Sequence, residues 1–193
     1  MKRYVKAKVV DVLSEPESLQ WEFLSTSNTD PDILDRLADN PAYSEKVLHH
    51  SNVGPHTLKR FSKNKNAEYR RMVADNLNTP FSVLRRMLTD KDPEIRYAAM
   101  RNQNMEPALL AELSNSPEWR VREAVAKNLS TPVDVLVRLA KDPHWVVCRG
   151  AATNLNLPDD CLEELKSSKN QYVREAASNT AHEKWRLARF ANN

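Results

Sequence analysis

An all-α solenoid, built from short two-helix units, is the fold class this sequence predicts. Three observations predict it: prolines recurring at a nearly constant step, an asparagine recurring at the same step, and a near absence of glycine. One proline series is Pro31, Pro55, Pro80, Pro107, Pro132 and Pro158. The other is Pro16, Pro41, Pro93, Pro117 and Pro143, with Ala67 midway between Pro41 and Pro93. All eleven prolines belong to one series or the other. Asn28, Asn52, Asn76, Asn102, Asn128, Asn154 and Asn179 follow at steps of 24 to 26 residues. Gly54 and Gly150 are the only glycines, so there is no glycine-rich phosphate loop, no dinucleotide fingerprint and little material for hairpin turns. The common nucleotide-dependent enzymes are thereby excluded, and strand content should be near zero.

Each unit carries two helical segments. After a first-series proline comes an apolar triplet at i, i+1, i+4, which marks one helical face. The triplets are Ile33-Leu34-Leu37, Thr57-Leu58-Phe61, Val83-Leu84-Met87, Leu109-Leu110-Leu113, Val135-Leu136-Leu139 and Cys161-Leu162-Leu165. The second-series proline opens the other segment, as in PEIRYAAMRN (93–102) and PEWRVREAVAKN (117–128). Proline at a first helical position loses no hydrogen bond, and Asp92 and Asp142 just before it read as N-caps. Segments of two to three turns cannot bury a face alone, so neighbouring units must supply the core. About six and a half units account for the 193 residues as one domain. Residues 1–13 form an N-terminal capping half-unit, 14–179 the repeats, and 180–193 a C-terminal cap in which the triplet position falls on Arg186, Leu187 and Phe190.

Composition narrows the setting. Hydrophobic residues are 40% and charged residues 28%, with no apolar run of membrane-spanning length. The start, MKRYVKAKVVDVL, is basic like a signal peptide, but Lys6, Lys8 and Asp11 interrupt its apolar part and no small-residue cleavage site follows. Cys148 and Cys161 are too few for a disulfide framework or a cysteine-ligated cluster. A cytoplasmic protein without metal or cofactor is expected.

The unit seen most cleanly in SPEWRVREAVAKNLSTPVDVLVRLAKDP (116–143), with recurring Pro, Val-Arg, Asn, Thr-Pro and Leu, resembles the variant leucine-rich repeat family. That family is similar to HEAT and armadillo arrays but has a shorter unit. The resemblance implies a right-handed superhelix, a shorter helix in each unit that is often 3-10, and a scaffold role. Some members carry a cysteine-rich metal-cluster module ahead of the repeats, which residues 1–147, lacking cysteine, do not match.

Set in this frame, most recurring residues read as structural. The asparagine column, before a Thr-Pro turn, reads as a ladder tying loose backbone. Cys148, placed with Val121 and Val173, and Cys161, placed with Val83 and Val135, read as small core hydrophobes. His49, His50 and His56 read as surface residues. The Val-Arg arginines (Arg70 or Arg71, Arg96, Arg122, Arg149, Arg174) read as pairing with carboxylates along the stack such as Asp92 and Asp142, or as lining a groove for acidic groups.

Two features are candidate binding sites. Two residues past each second-series position lie Tyr43, Tyr69, Ile95, Trp119 and Trp145, with Tyr172 near the equivalent place. In a solenoid such a column is a packing spine or an aromatic stripe for extended peptide or unpaired bases. Charge is the second feature: residues 11–58 carry −7, whereas residues 59–101 carry +6. Lys59, Arg60, Lys63, Lys65, Arg70, Arg71, Arg85, Arg86, Arg96 and Arg101 form this basic region, suited to phosphate or to an acidic protein. No catalytic constellation emerges. The expected function is a non-enzymatic scaffold for a protein or peptide partner, with nucleic-acid binding through the 59–101 region as the alternative, and with no membrane or small-molecule partner.

Overall fold

A computed structural model describes residues 12–191, and everything below refers to them. They form thirteen α-helices and one 3-10 turn at Val12–Ser14, with no strand among them. Seven helices follow the second proline series: α1 (Glu17–Ser25), α3 (Pro41–His49), α5 (Ala67–Asp75), α7 (Pro93–Arg101), α9 (Trp119–Lys127), α11 (Trp145–Ala152) and α13 (Gln171–Ala191). Six shorter ones alternate with them: α2 (Pro31–Leu37), α4 (Pro55–Phe61), α6 (Phe81–Met87), α8 (Pro107–Leu113), α10 (Val133–Leu139) and α12 (Asp159–Leu165). In both sets the first step between starts is 24 residues and every later step is 26. The expected capping half-unit 1–13 lies almost wholly outside the described residues.

The shorter helices are α-helical. α2, α4, α8, α10 and α12 open with an i→i−4 bond, as Leu34 N–H to Asp30 O at 3.1 Å and Leu110 N–H to Glu106 O at 3.1 Å, whereas α6 carries an i→i−3 bond at its start, Val83 N–H to Pro80 O at 2.9 Å. Each tightens to i→i−3 at its end, as Asn40 N–H to Leu37 O at 3.1 Å. The 3-10 geometry implied for the short helix is therefore confined to its terminal turns. Caps explain many of the starts: Asp30, Asn40, Asn66 and Asp92 each accept the backbone N–H two residues on, at 2.8 to 3.0 Å. Prolines occupy the first helical position of α2, α3, α4, α7 and α8. Pro117 and Pro143 do not. They sit two residues earlier, so Trp119 and Trp145 become the first residues of α9 and α11, with Glu118 and His144 as N-caps.

Two compact units divide the chain after Val83, within α6. In the first, Leu34, Leu37, Val47, Leu48, Leu58 and Val73 are wholly buried between α2, α3, α4 and α5. In the second, Leu84, Leu110, Leu136 and Leu162 head the short helices and Ala99, Val125, Ala151 and Ala177 line the long ones, all at 0% exposure. Each such leucine contributes about 2 kcal/mol of transfer free energy. Small residues at one position of the long helices, Ala98, Ala124, Gly150 and Ala176, let α7, α9, α11 and α13 approach closely. A Cβ on Gly150 would meet the Ala126 Cβ at 3.3 Å and the Glu123 carbonyl at 3.4 Å.

Polar side chains knit each repeat to the one before. Asn128, fully buried, donates to Met100 O at 2.7 Å and Asn102 O at 2.9 Å and accepts Ser130 N–H at 2.7 Å. Asn154 repeats this on Ala126, Asn128 and Asn156, and Asn76 reaches Leu48 O. In the first unit the ladder position belongs to His50, not Asn52. His50 is buried, its Nε2 meets Thr26 O at 3.0 Å, and its Nδ1 accepts Asn52 N–H at 3.0 Å, which fixes the Nε2–H tautomer. The surface reading of His50 is thus corrected, while His49 and His56 are exposed. Asn52 falls instead in a second rung with Asn78, Ser130 and Asn156, which donate to Thr29, Ser51, Gln103 and Leu129 carbonyls. At the far end Asn179 is exposed within α13, and Thr180 holds the buried position.

Asn128→Ala should cost about 2 to 4 kcal/mol, because it removes the donors to Met100 O and Asn102 O and the acceptor for Ser130 N–H from a buried setting. Gly150→Leu should cost about 1 to 3 kcal/mol by overpacking the α9–α11 contact. Chemical denaturation of both variants measures these losses, and an unchanged midpoint for either would contradict the assigned packing.

Candidate functional site

The arginine column resolves into a clamp. Arg70, Arg96, Arg122 and Arg174, 26 residues apart or a multiple of it, each donate from Nη1 to the carbonyl six residues back, at 2.7 to 2.9 Å. The same slot holds Ser44, whose Oγ bonds Ala38 O, and Cys148, whose Sγ–H donates to Asp142 O at 2.9 Å. Cys148 therefore replaces the arginine, not a core valine, and Val147 takes the buried place beside Val121 and Val173. Arg149 lies one position beyond the column. Burial pushes the Cys148 thiol above its ordinary pKa and the Asp142 charge adds to this, so it is a poor nucleophile. Cys161 is buried as expected, with its thiol likewise raised, first by burial and then by Asp160.

Arg122 does more than clamp its own loop. Its Nε and Nη2 reach the two carboxylate oxygens of Asp142 in the next repeat at 2.7 and 2.9 Å. Asp142 is not the N-cap of α11; its Oδ1 instead accepts the N–H of the capping residue, His144, at 2.8 Å. Burial opposes the Asp142 charge, but the Arg122 hydrogen bonds, the His144 amide and the Arg122 charge outweigh it, so its pKa lies below the usual carboxylate range.

The basic region falls in both units, and much of it is engaged internally. In the first, Arg60 pairs with Asp35 at 2.9 Å and with Asp39, Arg70 is a buried clamp, and Arg71 approaches Asp75 at 3.8 Å. Lys59, Lys63 and Lys65 are exposed. In the second, Arg96 is a clamp, while Arg85, Arg86 and Arg101 are exposed. Arg101 lines a shallow groove between α7 and α9 with Glu94, Tyr97, Arg120, Glu123 and Lys127.

The aromatic column divides in two because of the proline slip. Tyr43, Tyr69 and Ile95 share the inward position of Val121, Val147 and Val173; Tyr43 is buried and Tyr69 half-buried, and each makes an edge contact, with Trp21 and Phe61 respectively. Trp119 and Trp145 instead stand at the starts of α9 and α11. Trp119 stacks on His144, centroids 4.4 Å apart and planes within 4°, and Trp145 stacks on Tyr172 at 5.5 Å. Arg120 and Arg149 lie over the two tryptophans at 5.4 and 5.8 Å. Trp145 is 40% and Tyr172 57% exposed. Sequence reasoning missed His144 and Arg120 because neither recurs. Counting from the invariant leucines rather than the prolines places both.

The repeat just described, from helix start through clamp and ladder to short helix, is the unit that the comparisons match. The model for the family described as leucine rich repeat variant matches residues 119–144, one complete unit. The chain is a helical repeat solenoid that is similar to the variant leucine-rich repeats in this unit. Among solved structures it resembles a leucine-rich repeat variant described as having a novel repetitive structural motif, with a TM-score of 0.51 and 20% identity over 88% of this chain and 73% of that one. It also resembles the X-ray structure of YIBA_ECOLI, an Escherichia coli protein, with a TM-score of 0.52 and 22% identity over 97% and 81% of the two chains. At such identities these likenesses speak for the fold. No curated protein matches the chain in sequence. Among the described residues, no helix is long and apolar enough to cross a membrane.

The Arg122–Asp142 bridge carries a pH signature. Because the folded Asp142 pKa is depressed, its stabilisation is present above the unfolded carboxylate value of about 3.9 and is lost as pH falls through the folded value. Asp142→Asn should therefore lower stability at neutral pH and flatten the acid limb below about pH 4. Arg122→Ala should cost about 3 kcal/mol by leaving a largely buried carboxylate unpaired. Thermal melts from pH 7 to 3 read both, and parallel wild-type and Asp142→Asn profiles would refute the bridge.

Proposed function

We propose that this protein is a non-enzymatic scaffold that holds a protein or peptide partner on the outward side of its longer helices. One observation carries this reading: the residues that recur in every repeat are consumed inside it. Buried leucines form the core, asparagines and His50 tie backbone carbonyls, and the arginine slot closes loops. What remains outward differs from helix to helix, as in Glu68 and Arg71 on α5, Arg101 on α7, Arg120 on α9, and Tyr172 and Glu175 on α13. A surface that is fixed in spacing and free in chemistry suits recognition of an extended partner.

Nucleic acid is the less favoured occupant because Arg60, Arg70, Arg71 and Arg96 are already engaged with Asp35, Asp39, Asp75 and loop carbonyls. Selection against a random peptide library, with binders mapped by amide chemical shifts, tests the proposal. Shifts on the outward residues of the longer helices are expected. Binding to duplex or single-stranded DNA with a log–log salt slope near −0.9 or −0.7 per phosphate contacted, in place of peptide binding, would overturn it.

A further inference from the structure

The strongest unassigned feature is the aromatic ridge of the second unit, where Trp119–His144 and Trp145–Tyr172 form two stacked pairs with Arg120 and Arg149 over the tryptophans. We propose that this ridge is a docking site for a proline-rich peptide in the polyproline II conformation, flanked by an acidic residue that meets Arg149. The proposal rests on the scaffold reading and names its partner.

Three observations converge on that occupant. The first is donor chemistry. A polyproline II segment makes no internal hydrogen bonds, so its carbonyls seek donors. The ridge is rich in donors: among the described residues the indole N–H of Trp145 and the hydroxyl of Tyr172 have no hydrogen-bond partner, and both side chains are exposed at 40% and 57%. The exposed parts of these rings offer a proline ring an apolar surface, and the N–H and O–H offer the neighbouring carbonyl a donor.

The second is spacing. Trp119 and Trp145 hold the same position in successive long helices, 26 residues apart. Packed helices lie about 8 to 10 Å apart, and a polyproline II helix advances about 9 Å in each three-residue turn. Prolines at every third position thus face successive repeats. Lying stacked on Tyr172 and beneath Arg149, the Trp145 ring is pre-organised, so little side-chain freedom is lost on docking.

The third is charge. The acidic groups beside the ridge are occupied, Glu118 by the Tyr97 hydroxyl and Glu123 by Lys127 at 2.6 Å. Positive and negative groups are nearly matched there, which does not suit a polyanion such as RNA. Arg149 has no carboxylate partner among the described residues, which gives an acidic residue at the peptide's flank a single place to pair.

The test uses the full chain, tryptophan fluorescence and calorimetry. Its probes are a synthetic peptide of about a dozen residues with proline at every third position and a terminal aspartate, the same peptide with alanine for proline, and a short single-stranded oligonucleotide. The proline peptide should bind, and Trp145→Ala should weaken it about twentyfold, the loss typical of an interface anchor. Trp145→Phe, which keeps the stack and removes the N–H, and Arg149→Gln should each weaken it severalfold with an unchanged melting temperature. Equal affinity for the alanine peptide would overturn the polyproline assignment while leaving the scaffold reading in place. Binding of the oligonucleotide alone would overturn both. Full affinity in Trp145→Phe and Arg149→Gln would remove the ridge as the site, wherever the peptide then bound.

Discussion

The structure depends on one arrangement, a side-chain amide buried between repeats that binds the backbone of the repeat behind it. Helices of seven to nine residues expose nearly as many unpaired terminal carbonyls and amides as they satisfy, and packing them tightly removes water from those groups. Asn128 and Asn154 resolve the conflict with two donors and one acceptor each, all used. The leucine columns supply the driving force, but without the amides the same burial would strand polar backbone in an apolar setting. His50 shows that the requirement is a donor and an acceptor at fixed separation, not an asparagine as such.

The loop between each short helix and the following long one has its own solution. A donor on the first turn of the long helix reaches back six residues to a carbonyl, while the residue bearing that carbonyl often accepts the N-cap N–H through its side chain. Asn64, Asp90, Ser116, Asp142 and Ser168 all play that accepting role. Loop and helix start are thus fastened twice, which allows a proline at the first helical position in one repeat and just ahead of the N-cap in another.

That tolerance explains what was legible in the sequence. The helical class, the number of units and the buried leucines followed from periodicity, because apolar spacing reports directly on which face packs inward. Proline gave the wrong register in two repeats: before a helix it relieves the chain at more than one position, so Pro117 and Pro143 shifted Trp119 and Trp145 into an inward column they do not occupy. Asparagine misled in the same way, since both rungs use it two residues apart and Asn52 stood in for His50. Cys148 was hidden because a thiol and a valine look alike to an apolar pattern, although one donates a hydrogen bond. Of the exposed ridge, recurrence showed Trp119, Trp145 and Tyr172 as part of one aromatic column but not Arg120 and His144, which occur there once each.

The substitution at Cys148 also redistributes cooperativity. In a linear array, stability separates into an intrinsic part for each repeat and a coupling part for each junction. Where arginine fills the slot, its Nη1 group donates to two carbonyls of the loop within its own repeat. At Cys148 a single weak thiol donor remains, while Asp142 in the same loop is gripped from the preceding repeat by Arg122. The repeat beginning at α11 is thus weak in itself and strongly coupled to its predecessor. On this count the two should open together, while neighbouring repeats elsewhere should exchange their amide protons more independently.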